Sequence, residues 1–236
     1  NDYANARGVI AVWDTADGFR RVGEIESGGT GPHDLAFLSD GKTIVVANGG
    51  IETRPDRPRE KLNIPHMQPS LAYVDAASGV VLSRYRPDDS QMSLRHLAVS
   101  NDDRVVVGVQ YEGDDTAVVP LLFSHSGEDR LQAAVADPAT WRSHRNYIAS
   151  IAATADGRYA VLTAPRGDTA SLWDLQSMTA AAQWRIRDVA GIAGGSDGEI
   201  LLSNGFGELF SAGPQRSSPH RTSHLPARWD NHLLIV

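Results

Sequence analysis

His33 to Asn48 reads HDLAFLSDGKTIVVAN, and the phrase returns as HLAVSNDDRVVVGV from His96 to Val109 and as SIAATADGRYAVLTA from Ser150 to Ala164. A weaker copy, GIAGGSDGEILLSN, runs from Gly191 to Asn204, and NHLLIV, from Asn231 to Val236, echoes its opening. Each full copy is a short apolar run, a polar turn centred on Asp-Gly or Asp-Asp, and a second, β-rich run. Asp and Gly tolerate the positive φ of tight turns, and Val and Ile suit a pleated, half-buried surface, so each phrase predicts a β-hairpin. Hairpins recurring at this spacing predict an all-β chain, a β-propeller of WD40/YVTN-like repeats.

Working outward from the first copy, Gly31 to Phe37 is an inner strand, Thr43 to Ala47 a second, Ser70 to Val74 a third and Val80 to Tyr85 a fourth. Gly8 to Asp14 and Phe19 to Ile25 match a third and a fourth strand. Leu94 to Val109, Ala117 to Phe123 and Leu131 to Ala136 make the next blade, and Tyr147 to Thr163, Ala170 to Leu175 and Ala180 to Ile186 another. Val189 to Ser203 with Glu208 to Ser211 make a shortened one. Trp13, Tyr73 and Trp173 share one place in the third-strand phrases AVWD, AYVD and SLWD, where an aromatic residue is expected to pack between blades. Residues 1–236 are thus expected to form a single propeller domain that starts and ends in mid-blade. Propellers close into rings that remove exposed sheet edges. The expectation is a ring of about seven blades when intact, with an N-terminal blade and a half lying outside this chain.

The formal charge of −7 argues against a general nucleic-acid binder, which needs a basic surface. Arg54, Arg57, Arg59 and Lys61 cluster, but Asp56 and Glu60 interrupt them, and the stretch reads as a solvated loop. Cysteine is absent, so disulfides, thiolate metal sites and a cysteine nucleophile are excluded. No stretch is long and apolar enough to span a membrane. The chain has no initiating Met and no signal peptide, so it is expected to derive from a longer precursor that carries any localisation signal.

Histidine stands at or beside the first-strand entry in three repeats, as His33, His96 and His232. In a propeller these entries ring one mouth of the central channel. Convergent imidazoles from separate elements are what a histidine-rich transition-metal site requires, with Asp34, Arg95, Asp230 and Asn231 as supporting neighbours. The alignment offsets His33 by one residue: matching Leu35-Ala36 to Leu97-Ala98 sets His96 opposite Asp34 and His33 opposite Arg95. In a regular strand that offset turns the side chain to the other face, unless Pro32 bends the entry. Ser150 and Gly191 replace histidine in two repeats. The insertion from Ile51 to Pro69 carries His66-Met67, borderline and soft donors of the kind copper accepts, although a surface His beside a Met anchoring the loop is the plainer reading. His125 and His144 lie in an irregular stretch from Ser124 to Arg145. His220 and His224 lie in another, from Gly213 to Arg228; their spacing is that of helical metal ligands, but Ser217, Ser218 and Pro219 oppose a helix.

NDYANARGVIAVWD, GPHDLAFLSDGKTIVVANGGIET, REKLN, PSLAYVDAASG, LRHLAV, NYIASIA and the terminal WDNHLL together resemble a bacterial propeller family, domain of unknown function 1513, over essentially the whole chain. The resemblance implies a periplasmic protein exported by a twin-arginine-type signal; a monomer is expected. It also implies an iron- or copper-related role beside imelysin-like iron-uptake proteins and a di-haem oxidoreductase-like protein. Family members carry two further Gly-His-Gly strand entries that this chain lacks. The leading expectation is therefore a metal- or partner-binding propeller, not an enzyme, with iron or copper on His33, His96 and His232. The alternatives are a lactonase-like metal-dependent hydrolase, for which Asp34, Asp188 and Asp230 are the candidate carboxylates, and a scaffold that binds partners through its proline-rich loop.

Overall fold

A computed structural model describes residues 2–3, 7–57, 60–154, 156–194, 199–230 and 232–233. The chain is all-β apart from short helical turns, and it divides into two compact units, Asn1–Arg95 and His96–Val236.

In the first unit, β1 (Val9–Asp14) and β2 (Arg20–Glu26) form a two-stranded sheet. The next four strands, β3 (Pro32–Phe37), β4 (Thr43–Asn48), β5 (Ser70–Asp75) and β6 (Val81–Tyr85), pair in sequence order as a four-stranded antiparallel sheet. The unit boundary falls inside β7 (Met92–Val99). The second unit continues with β8 (Val105–Tyr111), β9 (Leu122–His125) and β10 (Gln132–Ala133), which line up beside β7. After the short helix α1 (Pro138–Ser143) comes a sheet of β11 (Ser150–Ala153), β12 (Tyr159–Ala164), β13 (Thr169–Asp174) and β14 (Thr179–Arg185). The last sheet holds β15 (Val189–Gly194), β16 (Ile200–Asn204), β17 (Glu208–Ala212) and β18 (His220–His224). Consecutive four-stranded antiparallel sheets are the unit from which propeller-like folds are built.

The repeated phrase explains this regularity. Its β-branched half supplies the second strand of each sheet, and β4, β8 and β12 are buried along most of their length. The turn before it needs a left-handed residue, met by Gly41 (φ 62), Gly157 (φ 67) and, where the copy reads Asp-Asp, Asp103 (φ 61). Asp40 fixes the first turn by accepting from the Lys42 and Thr43 amides and the Thr43 hydroxyl, and these bonds hold its carboxyl below the usual range. A register shift recurs between third and fourth strands, at Val12/Trp13, Tyr73/Val74, Leu172/Trp173 and Leu209/Phe210. The aromatic third-strand phrase thus marks a β-bulge, which twists the outer strand.

Three expectations are corrected. The last sheet is not shortened: β18 completes it from the stretch read as irregular. Strand β9 begins at Leu122, not at Ala117, because Pro120 lacks an amide hydrogen and restricts the residue before it. The aromatic residues of the third-strand phrase do not share one environment: Trp173 is fully buried, Tyr73 is half-buried and Trp13 is 53% exposed.

Apolar cores form within each unit. Ile10, Ile44, Val46, Ala72 and Val74 pack together in the first. Val161, Leu172, Trp184, Val189, Ile192 and Leu202 are among those packed in the second.

Candidate functional site

His96 is 5% exposed on β7, and its ring centroid lies 5.0 Å from that of His232, with the planes at 58°. The contact depends on how the C-terminal segment docks. His232 forms a parallel bridge with Ile192, on the edge of β15 opposite β16. Gly191 makes that approach possible: a Cβ there would stand 2.8 Å from the Asp230 carbonyl oxygen and 2.4 Å from Ser203 Oγ. The repeat that lacks histidine at its strand entry therefore receives one from another part of the chain.

His33 lies in the first unit. The register of β3 against β4 jumps from Pro32↔Asn48 to Asp34↔Ala47, so His33 is the extra residue of a bulge. The same shift recurs between Val189 and Gly191 at the matching place of the last sheet. His33 is exposed, and its Nδ1 accepts from Arg95 Nη1 at 3.2 Å, because a guanidinium can only donate. Arg95 is thus a direct partner of His33. Asp34 accepts from the Leu35 amide. Asp230 is exposed and meets Gly191 through its backbone, and Asn231 lies outside the described residues.

The His66-Met67 pair is split. Met67 is 2% exposed and anchors the loop, whereas His66 ends an exposed 3₁₀ turn. Asn63 closes the base of this loop by donating to the Gly50 carbonyl and accepting from the Glu52 amide. His220 and His224 sit at opposite ends of β18, where four residues of strand separate Cα atoms by roughly 13 Å, too far for one ion. Asp188 adopts a left-handed turn conformation (φ 52), and its amide donates to Asp168 Oδ1. Among the described residues no group of three or more His, Cys, Asp or Glu is placed to hold a metal ion.

A second histidine constellation was not legible in the sequence. His144 follows α1, which Asp137 caps through the Ala139 and Thr140 amides. Its Nδ1 lies 2.8 Å from the Thr140 carbonyl and its Nε2 lies 2.8 Å from Ser171 Oγ. A carbonyl only accepts, so Nδ1 carries the proton and Nε2 accepts from the Ser171 hydroxyl, which in turn accepts from Trp173 Nε1 at 2.8 Å. A serine hydroxyl on a histidine is the contact that activates a nucleophile. Here both residues are completely buried and the acceptor that orients the ring is the Thr140 carbonyl rather than a carboxylate, so the chain of bonds fastens α1 to β13.

Burial pushes the His144 pKa below its ordinary value near 6.5, against an opposing pull from the Thr140 carbonyl. As pH falls below about 6.5, unfolded chains bind a proton that folded chains refuse, so stability must fall. Urea midpoints are expected to drop between about pH 7 and pH 5, and His144→Gln should flatten that drop while lowering the midpoint at pH 7. An identical pH slope in the variant would refute the assignment.

A family model described as "Protein of unknown function (DUF1513)" matches residues 1–236, the whole chain. No curated protein matches it.

Proposed function

We propose that this chain, which belongs to the DUF1513 family of proteins of unknown function, is a metal-binding β-propeller that works by binding, with His96 and His232 as its ligands. The observation that carries the reading is the 5.0 Å approach of two imidazoles supplied by opposite ends of the second unit. Two rings this close can serve one ion, since each ligating nitrogen stands about 2.0–2.1 Å from it. Neutral imidazole is a borderline donor that suits copper or iron. A two-histidine set leaves coordination positions for solvent, a small ligand or a partner's side chain, which suits capture and transfer better than a closed structural site.

The hydrolase alternative fares worse, because two of its three carboxylates are otherwise engaged: Asp34 bonds the Leu35 amide, and Asp188 packs over Gly205. Closure into a ring of about seven blades is part of the proposal and rests on the repeated four-stranded sheets. A periplasmic location beside imelysin-like or di-haem proteins rests on the resemblance of the motifs alone. Metal analysis of protein purified from cells given iron and copper tests the proposal. Stoichiometric metal in the wild type, lost in His96→Ala/His232→Ala, is the expected result. Equal metal content in the two proteins rules the site out.

A further inference from the structure

We infer a second binding site, for a small anion bearing two or more phosphate or carboxylate groups, on the arginine-lined clefts beside α1. Arg142, Arg145 and Arg166 line a cleft of about 520 Å³ together with Thr116 and Asn146. Arg142 and Arg145 also line an adjoining cleft of about 640 Å³, whose other walls include Arg185 and Trp184. Four guanidinium groups so placed would be ordinary in a basic protein, but this chain carries a net charge of −7.

Some arginines elsewhere on the chain pair with carboxylates, as Arg7 does with Asp2 and Glu26, Arg158 with Asp174, Arg216 with Glu199 and Arg221 with Glu208, whereas Arg86 and Arg104 bond the Gln68 side chain and the Leu175 carbonyl. Among the described residues none of Arg142, Arg145, Arg166 and Arg185 has an acidic partner within 4.0 Å, and this includes Asp115 on the wall of the first cleft. Like charges held together without counter-charges repel one another, and an anion in the clefts would relieve that repulsion.

The backbone adds an independent observation. Arg145 (φ 49) and Asn146 (φ 55) are consecutive non-glycine residues in the left-handed region, and Asp168 (φ 51) ends the neighbouring 3₁₀ turn Pro165–Gly167. For Arg145 this conformation is costly, and such positions cluster where a fold must hold a side chain for a purpose, whereas Asn and Asp tolerate it. Gly167 lets the two turns meet, because a Cβ there would overlap the Ser143 carbonyl at 1.7 Å. Arg166 is also oriented, its guanidinium carbon 4.1 Å from the centre of the Tyr147 ring. Stacking covers one face of the guanidinium and leaves its N–H edge to fork onto an oxyanion. The indole N–H of Trp184, 6% exposed in the wall of the second cleft, has no acceptor among the described residues.

The volumes exceed what a lone phosphate fills and fall in the range of small-molecule sites. Phosphate and carboxylate groups both match the planar fork of arginine. The test is calorimetric titration of the full chain, at about 0.15 M salt, with inorganic pyrophosphate in one arm and propane-1,2,3-tricarboxylate in the other. Saturable binding in at least one arm is expected, weakened tenfold or more by Arg142→Gln and by Arg166→Gln and unchanged by Arg216→Gln. Two variants on separate elements guard against a local folding defect in either. The stronger arm identifies the ligand group. No saturable binding in either arm, or equal weakening by Arg216→Gln, overturns the inference.

Discussion

Trp173→Ala is expected to lower the unfolding free energy by about 3–5 kcal/mol, the range for truncating a large buried aromatic residue. Trp173 is fully buried and stacks on Trp141 with ring centroids 4.6 Å apart and planes 18° from parallel. Its indole N–H donates to Ser171 Oγ, the hydroxyl that serves His144. Truncation therefore removes apolar area, an aromatic stack and a donor from a buried chain of hydrogen bonds, and the cavity left behind adds to the cost. Trp13 supplies the internal control. It holds the same place in its own third-strand phrase but is 53% exposed, so Trp13→Ala should stay within about 0.5 kcal/mol of the wild type. Guanidinium denaturation of both variants reads the difference. Equal costs would contradict the burial assigned to the two sites.

Gly191→Val is the second large effect, and it acts on function. The new Cβ would press on Ser203 Oγ at 2.4 Å, on the Asp230 carbonyl at 2.8 Å and on Leu233 Cγ at 3.1 Å. The serine can rotate, but a backbone carbonyl cannot yield without moving its segment. The expected result is displacement of the C-terminal segment from β15, with loss of the Ile192–His232 bridge and of the contact between His232 and His96. Overpacking of this kind costs about 1–3 kcal/mol. Copper affinity should fall about tenfold or more, as when the groups that hold a ligand in place are lost. Hydrogen exchange around His232 should accelerate in the same variant. Gly23→Ala, where a Cβ meets nothing within 4 Å, is the control and should change neither readout.

The parts of this fold that are local in sequence were readable in it. The hairpin phrases place β3, β4, β11, β12, β15 and β16 to within a residue or two, because turn chemistry and β-branched runs act over few residues. Strand β18 escaped notice because HRTSH is polar and largely exposed: pairing with β17, not burial of its side chains, makes it a strand. Helix α1 did carry a signal, Asp137 followed by Pro138, the cap and first-turn pair of many helices. At the candidate site the repeats singled out His33, His96 and His232; of these, the rings of His96 and His232 lie 5.0 Å apart. Repeats alone could not show the bulge at His33 or its bond to Arg95, since a bulge is a property of two paired strands. The arginine clefts are assembled from residues between 115 and 185, with no run of charge to announce them.

The most direct test of the central claim is calorimetric titration of Cu²⁺ into the full chain and into the single variants His96→Ala and His232→Ala. The account predicts saturable binding by the wild type, weakened by at least tenfold in each variant, since either ring alone leaves one imidazole for the ion. Undiminished binding in both variants would contradict it, and would reduce the 5.0 Å contact of the two rings to ordinary packing.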